Sequence, residues 1–258
     1  SDFYEVESYR GKTKQFFVEQ DKVNVEQSAY LIEQIPITFY IRQLFSNQTE
    51  IRTRGDGKSV VYNDNLSQLK MDRTTNIITF FENKPGDETL LFTNNLTQTF
   101  TQMKRLGGWQ LGMSFSSVDL SSNVVEYVRY VSSYPILSSG REGMTQVKAT
   151  TNGIEKLRTS SLIAQTPLPT KNKKVTIVGG KDIVAELLNE GFSMNEIEDI
   201  RIGYSWTTSS ENNQIVEFIP TWYIKINNKW KTLSELKADK KAGDAANKQT
   251  VGGDGDGL

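Results

Sequence analysis

The sequence predicts an α+β fold of two to three small modules, each a helix packed on an antiparallel sheet of three to four strands. Three observations lead there. Three stretches carry apolar residues at helical spacing, and each is followed by several short β-prone runs. Those runs recur about every eight to twelve residues with Gly and Asn punctuation, the pattern of hairpins. The 258 residues suffice for one large domain or two to three small ones, each with its own core.

The N-terminal residues hold two apolar patches, Phe16-Phe17-Val18 and Ala29-Tyr30-Leu31-Ile32, which read as strands or as the truncated edge of an upstream domain. Pro36 suits the first turn of a helix whose stripe is Ile37, Tyr40, Ile41, Leu44 and Phe45, ended by Ser46-Asn47. Strands follow at 50–54, 58–62, 66–71 and 77–81, with a turn at Gly55-Asp56-Gly57 and a turn or boundary at 83–87. A second helix is marked by Leu96, Phe100, Met103 and Leu106, with Asn94 or Asn95 as N-cap and Gly107-Gly108 as its stop. Further strands are predicted at 109–115, 124–131, 145–149 and 154–160.

The third helix starts near Asp182, carries Ile183, Val184, Leu187 and Leu188, and ends at Gly191. Beyond it Ile200, Ile202, Tyr204 and Trp206 alternate with Arg201, Gly203 and Ser205, so one strand face is buried and one wet. Runs at 215–219 and 222–226 complete the set. The resulting division is a partial N-terminal module at 1–91, a central module at 92–168 and a C-terminal module at 169–237. Two closely spaced prolines in Thr166-Pro167-Leu168-Pro169-Thr170 mark a boundary. Residues 238–258, rich in Lys, Asp, Ala and Gly, read as a flexible tail.

Composition narrows the chemistry. The chain has neither His nor Cys, which removes the Ser/His/Asp triad, imidazole and thiolate metal ligands, cysteine nucleophiles and disulfides. A cysteine-free chain is compatible with an extracellular address. The net charge of -1 supplies no global field for nucleic acid, so no nucleic-acid partner is expected. No apolar run reaches the roughly 18 to 20 residues of a membrane span. The start at Ser1, in mid-pattern, suggests an excised fragment whose anchor lies upstream.

Candidate motifs resolve mostly into structure. The acidic groups Asp87/Glu88 and Glu196/Glu198/Asp199 read as solvated turns, because adjacency in sequence does not make the facing pair a glycosidase needs. Gly55-Asp56-Gly57 and the tail repeat Gly253-Asp254-Gly255-Asp256-Gly257 lack the alternating oxygen ligands of a calcium loop. Val178-Gly179-Gly180-Lys181 has neither Walker A nor dinucleotide spacing and reads as a tight strand-to-helix turn. The hydroxyl clusters at Ser138-Ser139 and Thr159-Ser160-Ser161 have no histidine to activate them. No catalytic, metal or cofactor-binding residue is assigned. Of the aromatics Trp109, Trp206, Trp222, Trp230, Tyr204 and Tyr223, phase assigns Trp206 and Trp222 to the core. Tyr223 alternates onto the face of Lys225 and Asn227, and Trp230 lies among Asn228, Lys229 and Lys231; these two are the candidate partner-binding residues.

Two blocks carry a resemblance. Residues 124–137, VVEYVRYVSSYPIL, run a strand into a Tyr-Pro turn, and Ile202-Gly203-Tyr204 precedes Pro220-Thr221-Trp222-Tyr223. In order and spacing these resemble the extracellular part of the YycH family, with a similar order in the related YycI proteins. The resemblance implies a non-enzymatic regulator held outside the membrane by an N-terminal transmembrane helix absent from this chain. It also implies two partners, a YycI-like regulatory protein and a membrane sensor histidine kinase, in a two-component system controlling cell-wall metabolism. The competing expectation is a cell-wall or saccharide-binding module, motivated by the tryptophans; a two-carboxylate hydrolase stands well behind both.

Overall fold

The computed structural model describes residues 3–7, 13–19, 21–83, 92–107 and 112–251. In chain order it runs β1 (Phe3–Glu7), β2 (Thr13–Phe17), β3 (Val23–Gln34), α1 (Ile37–Leu44), β4 (Arg52–Gly55), β5 (Ser59–Asn63), β6 (Ser67–Asp72), β7 (Ile77–Glu82) and α2 (Phe92–Arg105). It continues through β8 (Met113–Asp119), β9 (Val124–Val131), β10 (Tyr134–Pro135), β11 (Met144–Thr150), β12 (Gly153–Ser160) and β13 (Leu162–Pro167). The last elements are β14 (Lys173–Ile177), α3 (Gly180–Asn189), β15 (Ile197–Thr208), β16 (Ile215–Ile226), β17 (Lys229–Thr232) and α4 (Leu233–Val251). The expected mixture of helices and antiparallel strands is present, and it is rich in strand. Two compact units divide it: the described residues of 27–173 and 204–219 form one, those of 1–26, 174–203 and 220–258 the other.

The larger unit is built on a nine-stranded antiparallel sheet of order β10-β9-β11-β12-β7-β6-β5-β4, with β8 also on β9. Sheets of three to four strands were expected. The difference lies at one seam, where β7 pairs with β12 through Phe80↔Leu157 and joins strands that precede α2 to strands that follow it. Alternation along each strand encodes which face is buried, but it does not encode that partnership.

One face of this sheet carries the core. Leu69, Ile78, Phe80, Val125, Tyr127, Val147, Ile154 and Leu157 pack with Tyr40, Leu44 and Phe45 of the α1 region and Met103 and Leu106 from the end of α2. Helix α1 follows its predicted stripe, and Pro36 caps it in extended conformation. Helix α2 departs from the expected pattern: Phe100 is exposed, while Asn95, Thr99 and Gln102 are buried beside Met103. Asn95 lies inside the helix rather than at its cap, because its side-chain amide donates to the carbonyl of Asn123 at 3.0 Å. Thr99 Oγ1 lies 3.0 Å from the Tyr127 hydroxyl, so polar contacts hold this part of the helix to the sheet. Parts of two expectations, the boundary at 83–87 and the glycine stop and strand start at 107–111, lie mostly outside the described residues.

A six-stranded sheet has the order β13-β3-β16-β15, with β14 on β3 and β17 on β16. In the smaller unit, α3 buries Ile183, Val184 and Leu187 and leaves Leu188 exposed. Its first residue requires glycine: a Cβ on Gly180 would lie 2.5 Å from the Val18 Cβ. Residues 238–251, which composition assigned to a tail, continue helix α4 to Val251. Lys237 bridges Glu186 at 2.5 Å and Glu190 at 3.1 Å, and the Lys240 ammonium caps the carbonyl of Glu190 near the end of α3. The same ammonium lies 5.2 Å from the centre of the Phe192 ring.

Candidate interaction surface

The two predicted partner-binding residues sit on one hairpin. β16 turns into β17 through Asn227 and Asn228, both at positive φ, which fits a two-residue turn of the primed type. Trp230 lies opposite Lys225 in the ladder. Arg201 stacks over the Trp230 ring at 4.8 Å and Lys225 at 5.8 Å, and the indole is only 7% exposed. Tyr223 is 1% exposed. The expectation that Tyr223 faces water is therefore corrected. Trp222, Tyr223 and Ile224 are buried in succession, so both faces of the strand are covered there and alternation no longer separates wet from dry.

The other motifs are occupied by structural bonds. Trp222 Nε1 donates to the carbonyl of Val178 at 2.8 Å, and the Gly180 amide donates to the carbonyl of Glu19 at 2.6 Å. The glycine turn before α3 therefore serves as a packing device, with its first helical amide already bonded. Ser138 Oγ donates to Glu142, Thr159 bonds Thr145, and Ser161 Oγ donates to the carbonyl of Asn76. Trp206 is half-buried with its ring edge-on to Phe218, and Trp109 lies outside the described residues.

Acidic side chains close the turns. Asp56 accepts from the amides of Lys58 and Ser59, Asp64 from Leu66 and Ser67, and Asp72 from Thr74 and Thr75, all at 2.7–2.9 Å. Asp119 accepts from the Ser121 amide and from the hydroxyls of Ser121 and Ser122. Hydrogen bonds to the charged form hold the Asp56 and Asp72 carboxyls below their ordinary value and bring Asp119 to about 2. A pocket of about 110 Å³ lined by Gln43, Glu82, Gln102, Arg105 and Asn152 is well below the roughly 300–1,000 Å³ of ligand sites.

What remains is an extended surface, the face of the nine-stranded sheet opposite the core. Ladder registers align its side chains in rows. One row reads Arg54, Val61, Lys70, Thr79, Arg158, Gln146, Glu126 across β4, β5, β6, β7, β12, β11 and β9. The next reads Arg52, Asn63, Gln68, Phe81, Lys156, Lys148. Arg52, Arg54, Gln68, Lys70, Thr79, Phe81, Lys156 and Arg158 are all exposed. Lys148 pairs with Glu155 at 3.0 Å, and Lys156 lies 5.8 Å from the centre of the Phe81 ring. Sequence reasoning missed this surface. Alternation marks each residue as outward-facing, but the rows exist only once the strand order is known.

These features define a strand-rich α+β protein whose most extensive candidate site is a charged sheet face. The family model for the YycH protein, C-terminal domain, matches residues 13–240, and the chain belongs to the YycH family. A curated relative, the "Two-component system WalR/WalK regulatory protein YycH" of Bacillus subtilis (strain 168), is 20% identical over 228 residues. That match covers 85% of this chain and 50% of the relative, so the chain spans about half of the relative's length. The crystal structure of YycH from Bacillus subtilis shares the fold with a TM-score of 0.69 at 16% identity, over 90% of this chain and 56% of that one.

Proposed function

We propose that this chain is a regulatory protein of a two-component system of the WalR/WalK kind, acting by binding. The observation that carries the reading is family membership over most of the chain, together with a curated relative that bears a regulator's name. The partners in this reading are a membrane sensor histidine kinase and a YycI-like protein. Its place is the outer face of the cytoplasmic membrane, through an anchoring helix outside this chain, and its output is cell-wall metabolism. A broad sheet face supports this role, because a protein that works through surface fit needs area and complementary charge rather than a cleft.

Binding alone does not regulate. The chain must bind one kinase state more tightly than the other, and a swing from mostly off to mostly on requires about 5.5 kcal/mol of difference. Tyr223 and Trp230 serve from beneath the surface in this reading: they fix the β16–β17 hairpin, and Arg201 and Lys225 over the indole are the groups a partner meets. The test is reconstitution of the kinase and its response regulator with and without the folded chain. The expected result is co-purification with the kinase and a changed rate of phosphoryl transfer; a folded chain that does neither removes the proposal.

A further inference from the structure

We propose that the open face of the nine-stranded sheet docks an acidic patch of protein, and that the patch belongs to the sensor kinase; the identity of the partner rests on the reading above. The face has six cations, Arg52, Arg54, Lys70, Lys148, Lys156 and Arg158, against four carboxylates, Glu126, Glu155, Asp72 and Asp119, the last two bonded within their own turns. Of the six, Lys148 is engaged by Glu155. Among the described residues Arg52, Arg54, Lys70 and Arg158 have no carboxylate within 4.0 Å. Arg141 adds to the field: burial first and then the neighbouring Arg158 lower its pKa, while Glu126 partly offsets them. Asp56 and Asp72 are engaged by turn amides, and the charge of Lys70 also helps to hold their carboxyls down, although neither forms an ion pair with it within 4.0 Å. A chain with net charge -1 thus carries a sheet face on which cations outnumber carboxylates.

The layout favours a folded protein over an anionic polymer or a lipid surface. In the first row Arg54, Lys70 and Arg158 fall on alternate strands, so with strands about 4.8 Å apart they stand about 10 Å from one another. Val61 and Thr79 separate them, and Glu126 closes the row. That spacing is about a Debye length at 0.1 M salt, so along this row each cation meets its own carboxylate; in the second row Lys156 stands closer to Arg158 and to Lys148, which Glu155 already engages. Phe81, 44% exposed at the centre of the second row, supplies the aromatic anchor that protein interfaces use and that a phosphate polymer does not need. Among the described residues β4 is an edge strand, and its charged, exposed Arg52 and Arg54 direct a partner onto the face rather than into strand addition.

The experiment compares the 258-residue chain with its Lys70→Glu/Arg158→Glu double variant for binding to the purified kinase in nanodiscs of neutral lipid. A control variant, Lys174→Glu/Lys241→Glu, changes exposed residues elsewhere by the same charge. All three are checked for native circular dichroism. The expected result is affinity that falls about tenfold or more between 50 and 300 mM salt, a loss of about 10- to 100-fold in the Lys70/Arg158 variant concentrated in the association rate, and an unchanged control. Phe81→Ala raises the dissociation rate. Affinity within twofold of the parent in the Lys70/Arg158 variant overturns the docking face and leaves the kinase reading standing; no binding by the parent overturns both. Two further measurements also overturn it if the double variant alters them: sedimentation of the chain alone, which marks a second copy as occupant, or co-sedimentation with phosphatidylglycerol vesicles, which marks lipid.

Discussion

Arg129 and Ser160 are joined where β12 hands over to β13: the buried guanidinium donates through Nη2 to the Ser160 carbonyl at 3.2 Å and through Nη1 to the carbonyl of Leu162. Arg129 is 4% exposed, and burial lowers its pKa to about 10, which still leaves it charged at neutral pH. It acts as a clamp on the crossover.

Arg129→Met keeps the volume and removes both donors. The two carbonyls lose a charged partner, and stability is expected to fall by about 2–4 kcal/mol. The urea midpoint drops with an unchanged slope; a midpoint at the parent value rules the clamp out.

Gly180→Val places side-chain atoms where Val18 already stands, since even a Cβ would approach the Val18 Cβ to 2.5 Å. Val18 is fully buried and cannot turn aside. The expected cost is about 1–3 kcal/mol, read from thermal or urea unfolding, while Gly57→Ala, where the added Cβ meets nothing within 4 Å, stays within about 0.5 kcal/mol.

The turn aspartates predict an acid limb. Their carboxyls are lowered from 3.8 in the folded chain, Asp119 to about 2, so between roughly pH 4 and pH 2 the unfolded state binds more protons and stability falls as pH falls. Asp119→Asn removes one titrating group, and its urea midpoint should change less between pH 5 and pH 2.5 than the parent's. Equal changes in the two proteins would dismiss the contribution of Asp119.

Trp230→Ala deletes the ring beneath Arg201 and Lys225 and is expected to cost about 3 kcal/mol, because the indole is buried. Arg201→Gln leaves the fold close to the parent's stability. If Trp230→Ala left unfolding unchanged but weakened kinase binding, the indole itself would be the contact.

How much of this was legible beforehand follows from the range of each signal. The stripes of α1 and α3 were readable because helical periodicity is local, and Ile183, Val184 and Leu187 are buried as their spacing predicts. Phe100 misled because α2 packs through Asn95, Thr99 and Gln102, of which Asn95 donates to the distant Asn123 and Thr99 bonds Tyr127. Tyr223 misled because alternation assumes one wet face. The basic rows were out of reach for another reason: Lys70, Thr79 and Arg158 become neighbours only through pairings that no local pattern records.

The Phe80↔Leu157 seam sets the order in which the larger unit can assemble. Hairpins from β4 to β7 form from near neighbours in sequence, but the ladder between β7 and β12 waits until α2, β8, β9 and β11 have all been synthesised. Long-range closure of this kind slows folding, and until it occurs β7 and β12 each present an unpaired edge. A nascent chain halted before β12 is therefore the aggregation-prone species, and chaperone demand should peak during translation of the residues between the two strands.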